Sequence, residues 1–208
     1  MSAVDRLARL HALGRPALST GEAAVAWDSS LPAASKMLSR LAAGGLVTKV
    51  RSGIWHVGPD TPDPAAVLPV LTAPYPSYTS GWSALARHQM IEQIPRGVFA
   101  VSLGRPKVVA TTHGRYEIHS IHPRLFGGFG GATGTRAGIA TPAKALFDVV
   151  YLFSARQGDV TLPELELPES FDHGELQAWV AKVPAARLRT LTAANLDRIV
   201  AGATPQHV

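Results

Sequence analysis

Apolar positions in the first 58 residues fall first at helical and then at strand-like spacing. Val4, Leu7, Leu10 and His11 recur every three or four residues up to Gly14, which predicts a helix over 2–13. Ser19-x-x-Glu22 has the form of a capping box, in which each side chain satisfies the other residue's free backbone N–H, so a short helix is expected over about 20–27. Ser29 or Ser30 can cap a third helix with Pro32 in its first turn, where the missing N–H costs nothing, and Gly44-Gly45 ends it. Along this helix Ala34, Met37, Leu38 and Leu41 face one way, and Ser35, Lys36, Ser39 and Arg40 largely face the other. The spacing then shortens. LVTKV (46–50) and IWHV (54–57) are β-rich runs joined by Arg51-Ser52-Gly53, the pattern of a hairpin.

The next stretch, 58–76, packs six prolines into 19 positions and reads as a semi-rigid linker, because proline fixes its own φ and extends the residue before it. The expected organisation is an N-terminal module over 1–58, a proline-rich linker over 59–76 and a larger C-terminal module over 77–208. In the last of these, YTSGWSALARHQMI (78–91) predicts a capped helix. GVFAVSL (97–103), KVVAT (107–111) and RYEIHSI (115–121) predict three strands, whose short connections point to an antiparallel meander. After a glycine-rich loop, Thr141 caps a helix with Pro142 at its first position and an apolar stripe through Ala145, Leu146, Val149, Val150 and Phe153. Further helices are expected at about 173–183 and 193–201. The fold class is α/β in the α+β sense.

Three helices followed by a hairpin is the order of a winged helix-turn-helix. The charge placement changes the picture further. Lys36 and Arg40 stand one turn apart on the solvent face of the third helix, flanked by Ser35 and Ser39, while Lys49 and Arg51 stand at the hairpin tip. Those are the two places from which such a module reaches a duplex. The six residues are the candidate DNA-binding set, and solvated surface charge is the competing reading. The net charge of +5 is unevenly spread: residues 81–158 hold nine basic and three acidic residues, whereas 159–208 hold four and seven. Arg87, Arg115 and Arg136 in the basic block could meet a protein partner or extend a DNA footprint.

Composition narrows the classes. With 46% hydrophobic and 17% charged residues the chain can bury a core, and with no cysteine it has no disulfide, thiolate-metal or thiol chemistry. Asp5, Arg6 and Arg9 interrupt any apolar leader, so a cytoplasmic location is expected. The uncharged run 64–86 carries four prolines, which argues against a membrane helix.

The N-terminal module ending in LVTKVRSGIWHV, then YTSGWSALARHQMI, then ATPAKALFDVVY, is similar to the AbiEi-like antitoxins of abortive-infection toxin–antitoxin pairs, whose mycobacterial branch is the MenA type. The resemblance spans about residues 4–200, and 15 Arg to 5 Lys suits a high-GC genome. It implies a protein encoded beside a nucleotidyltransferase-like toxin, which opposes that toxin and represses the shared operon by binding operator DNA.

Other chemistry is weaker. FGGFGGATGTRAG (126–138) is glycine-rich enough to approach a phosphate, but it lacks the G-x-x-x-x-G-K-[ST] pattern and fails G-x-G-x-x-G at Thr133, so a flexible loop is expected. Lys144 and Asp148, four apart, could hold a phosphate and a magnesium ion in an ATP-dependent kinase acting on the toxin, or could be an ordinary ion pair. His113, His119, His122 and Glu117 are not forced to converge on a metal, and no G-x-S-x-G occurs. The stretch 159–175 reads as an exposed acidic loop. No cofactor is expected outside the kinase reading. A plain regulator with a ligand-sensing second domain is the remaining alternative.

Overall fold

The chain is described by a computed structural model over residues 2–156, 162 and 164–205. The N-terminal segment runs α1 (Ala3–Ala12), β1 (Ala17–Ser19), α2 (Thr20–Ala26), α3 (Leu31–Ala43), β2 (Val47–Arg51) and β3 (Ile54–Val57). Local chemistry sets these boundaries. Ser19 and Glu22 form the reciprocal capping box ahead of α2, Ser30 caps α3 with Pro32 in its first turn, and Gly44 and Gly45 close it. The strand β1 has no counterpart among the expected elements. Only three residues long, it pairs antiparallel with β3, giving a sheet of order β1-β3-β2.

This small sheet is covered on both faces. Leu18, Val47, Trp55 and Val57 pack against Leu10, Trp27, Leu38 and Leu41 of the helical side. Ala17, Val50 and Ile54 turn the other way, toward α4 (Pro64–Thr72). The expected linker is therefore largely a buried helix: Val67, Leu68 and Leu71 join Ala17 and Val50 on one side and Ala100, Val109, Tyr116 and Ile118 on the other in one apolar cluster. The helix accommodates its prolines locally. Pro64 occupies the first turn, and Asp63 caps it by accepting from the Ala65 N–H. Pro69 cannot donate back to the Ala65 carbonyl, and that oxygen instead accepts the Ala137 N–H at 2.7 Å.

Beyond α4 come β4 (Ser77–Thr79), α5 (Gly81–Arg87), β5 (Gly97–Ser102), β6 (Lys107–Thr111), β7 (Gly114–Ser120), β8 (Phe129–Gly130), β9 (Gly138–Ala140), α6 (Pro142–Ala155), β10 (Glu166–Leu167), α7 (His173–Ala181), α8 (Ala186–Ala201) and β11 (Thr204–Pro205). The helix expected from Tyr78 starts later, because Tyr78 lies in β4, paired with both β5 and β9. Gly81 opens α5 at φ +48, where a Cβ would fall 2.5 Å from the Phe99 ring.

The expected antiparallel meander is not formed. The six-stranded sheet has order β6-β7-β5-β4-β9-β8, with β5 parallel to β7 and β6 antiparallel on the outer side of β7. The sequences explain the exchange. β5 runs through Phe99, Ala100 and Val101, all buried, and needs neighbours on both edges. β6 leaves Lys107, Val108 and Ala110 exposed and follows Pro106, which suits an edge. The glycine-rich run is a hairpin on the opposite edge, β8 against β9, and not a flexible loop. The inner face of the sheet packs on α5 to α8, and the outer face on α4. The molecule is thus mixed α/β. Of the acidic stretch, residues 159–161 and 163 lie outside the described residues, while Leu165 and Phe171 are buried rather than exposed. Among the described residues no helix is long and apolar enough to cross a membrane.

Candidate functional site

Helix α3 is amphipathic, and its covered face fixes what its other face presents. Ala34, Leu38 and Leu41 are buried, which leaves Ser35, Lys36, Ser39 and Arg40 together in solvent. The Ser39 hydroxyl donates to the Ser35 carbonyl at 3.0 Å, so that hydroxyl keeps only its acceptor side outward. Lys36 and Arg40 are the charged groups on this face able to meet a phosphate or a base edge.

The hairpin cations are held differently. Lys49 pairs across the sheet with Trp55, and its ammonium stands 5.7 Å from the centre of the indole ring. That indole is pinned from behind by its own N–H, which donates to Thr20 Oγ1 at 2.9 Å. β2 pairs with β3 through a register shift between Lys49 and Arg51, while its side chains keep alternating between the two faces. Val50 turns into the core toward α4 while Lys49 and Arg51 stay exposed. The hairpin is also buttressed by the second module. Thr112, at the β6–β7 turn, donates its N–H to the Val50 carbonyl at 2.9 Å and its hydroxyl to the Lys49 carbonyl at 2.7 Å.

Lys144 and Asp148 occupy the opposite environment. Both sit on α6 with no exposed side-chain surface, Lys144 Nζ 2.5 Å from Asp148 Oδ1. The other carboxylate oxygen accepts from Ser80 Oγ at 2.7 Å and Tyr78 OH at 2.9 Å. Trp179 and Phe147 close around the ammonium at 4.4 and 4.9 Å from their ring centres. Burial pushes the Asp148 carboxyl up and the Lys144 ammonium down from their ordinary values, while their mutual attraction opposes both shifts. Burial, then the nearby Asp148 charge, pushes the Tyr78 phenol up. The pair has no exposed side-chain surface and is an internal ion pair.

The glycine run explains itself at the same place. Gly128 stands at φ +69, where a Cβ would lie 2.7 Å from Trp179 and 2.9 Å from the Lys144 stem, so close cover of the ion pair needs a glycine there. Thr141 caps α6 by accepting the Lys144 N–H and donates its hydroxyl to Glu175, which also accepts from the Trp179 indole.

Arg87 is exposed at the end of α5, Arg115 pairs with Glu117 at 3.2 Å, and Arg136 pairs with Asp63 at 2.5 Å, where it ties the β8–β9 hairpin to the α4 cap. The three do not form one cluster: Arg87 and Arg115 line a common groove, and Arg136 does not. The histidines stay apart too. His119 stacks on Phe99 with ring centres 4.1 Å apart beside Arg156, His122 accepts the Arg124 N–H, and no group of three metal-ligating side chains converges among the described residues. Burial, with Arg156 adding to it, lowers His119 to about 4. Local sequence patterns gave no sign of Tyr78, Ser80 and Trp179 around the ion pair, or of Thr112 beneath the hairpin. Their signal is spatial: each meets its partner from more than 30 residues away. The chain was compared with protein-family models and with curated proteins, and neither comparison gave a match.

Proposed function

We propose that this chain is a winged-helix DNA-binding antitoxin, which represses its own operon through operator DNA and opposes a nucleotidyltransferase-like toxin. The observation that carries the DNA-binding part is the order α1-β1-α2-α3-β2-β3 with a β1-β3-β2 sheet, bearing exposed cations at α3 and at the β2–β3 hairpin. On this reading α3 enters the major groove with Lys36 and Arg40, while Lys49 and Arg51 hold phosphates. The toxin part rests on the sequence resemblance. The kinase alternative loses its candidate residues to the protein interior.

Mobility shifts on a duplex from the region upstream of the gene test the proposal. Lys36→Ala/Arg40→Ala is expected to cost about 1–3 kcal/mol wherever a base edge is read, and Lys49→Ala to weaken binding on every sequence alike. Unchanged affinity in the Lys36/Arg40 variant refutes the docking. Growth rescue on co-expression with the neighbouring gene product tests the toxin part.

A further inference from the structure

A cleft of about 760 Å³ opens between α5, the connection 91–97 and the strands β5 and β7, a volume in the range of sites that hold small molecules. No residue of α3 or of the β2–β3 hairpin lines it. One wall is apolar. Trp82, Ile91 and Phe99 belong to the large core or pack against it, and Ile94 carries the wall outward with 91% of its surface exposed. A ligand seated here would take that apolar surface out of water.

The polar groups of the cleft do not balance. Arg115 is matched by Glu117 at 3.2 Å, whereas Arg96 is exposed and makes no hydrogen bond or ion pair among the described residues. Trp82 adds a second donor. The indole N–H groups of Trp27, Trp55 and Trp179 donate to the Arg6 carbonyl, Thr20 and Glu175, and that of Trp82 meets no acceptor among the described residues. A guanidinium and an indole N–H beside an apolar wall are answered by a group that is negatively charged and accepts only, which a carboxylate is. One unmatched positive charge calls for one negative charge, and Glu117 in the same cleft repels a second, which disfavours a phosphate ester. We infer that the cleft binds a hydrophobic monocarboxylate, its apolar body against Trp82, Ile91 and Ile94 and its carboxylate on Arg96. The site goes beyond the operator and toxin readings and depends on neither.

The test uses the full chain, with 4-phenylbutanoate and octanoate as probes and tryptophan emission as the signal. Trp27, Trp55 and Trp179 are buried, so Trp82 is the indole that a molecule in the cleft reaches. A saturable change is expected, with a Kd of about 1 mM or tighter, as suits ligands of so few atoms. 4-Phenylbutanamide, which has the same shape and no charge, should bind about tenfold more weakly. Arg96→Gln should weaken both acids about tenfold and leave the amide unchanged, a split that general damage to the fold would not produce. Ile94→Asp sets a negative charge on the apolar wall and should weaken the acids by more than about tenfold. In Trp82→Phe the emission change should vanish while broadening of the probe's proton resonances still shows binding. Arg96 and Ile94 are exposed, and an unchanged melting temperature confirms that their variants are folded.

No saturation by either acid at about 10 mM overturns the inference. Equal affinity for the acid and its amide overturns it too, since the cleft is then an apolar surface without an anion site. An emission change on raising the protein concentration alone gives the cleft to a second copy of the chain, with the same consequence.

Discussion

On α3, Lys36 and Arg40 stand one turn apart with both side chains in solvent; on α6, Lys144 and Asp148 stand one turn apart with neither exposed at all. The spacing is the same, and what differs is how many faces of the helix are covered. α3 rests on its own small core along one stripe. α6 is enclosed by the large sheet, α5, α7 and α8, so that even its polar positions point into protein. A residue pair at i, i+4 thus carries no information about accessibility until the number of packing layers is known. Charge on a once-covered helix is available to a partner, while charge on a fully covered one must be answered internally.

The most severe challenge to this contrast is Asp148→Ala, which leaves Lys144 buried without its counterion. A loss of about 3–5 kcal/mol is expected in urea unfolding. The double change Lys144→Met/Asp148→Leu should recover part of it, because an apolar pair needs no desolvation, while the Tyr78 and Ser80 hydroxyls still lose their acceptor. A loss under about 1 kcal/mol in the single variant would mean that the pair is not sealed as described. The reverse case is Lys36→Ala/Arg40→Ala, which should leave stability within about 0.5 kcal/mol while changing DNA affinity.

Next in size is Leu68→Ala in α4, expected to cost about 2–5 kcal/mol, since the side chain is wholly buried in the cluster between the two sheets. A fragment starting at Pro74 lacks that helix altogether. It should melt well below one starting near Gly58, and equal melting temperatures would show that α4 is dispensable to the C-terminal sheet.

A smaller effect concerns pH. The unfolded chain protonates His119 near the ordinary 6.5, the folded chain only near 4, so the unfolded state binds more protons between those values. Stability should therefore fall as pH drops through that window, by about 1–2 kcal/mol once partial exposure is discounted. His119→Phe, which keeps the stack on Phe99, should flatten this acid limb. An identical pH profile in that variant assigns the limb to other groups.

What could be read from the sequence was what neighbours along the chain decide. Ser19 with Glu22, Ser30 with Pro32, Gly44 and Gly45, and Thr141 with Pro142 each bound a helix through interactions within four residues. What could not be read depended on distant partners. Three residues of β1 carry no periodicity, and they become a strand only because β3 lies 37 positions away. The prolines of 58–76 obscured the apolar run AAVLPVL, whose helical state depends on the Ala137 N–H arriving at the Ala65 carbonyl. Likewise the spacing of Lys144 and Asp148 was plain, while their burial is imposed by Tyr78, Ser80 and Trp179.

The place of α4 bears on how this chain can be cut and recombined. A seam drawn through its prolines looks like the natural point at which to graft the N-terminal module onto another body. A chimera joined there would divide a nine-residue helix from one of the two surfaces it was shaped to fit. Exchange of the N-terminal module between related chains should instead succeed when residues up to Thr72 travel together with the hairpin at 111–114 that grips β2. The transferable unit is then set by shared side-chain volume rather than by where the backbone looks loosest.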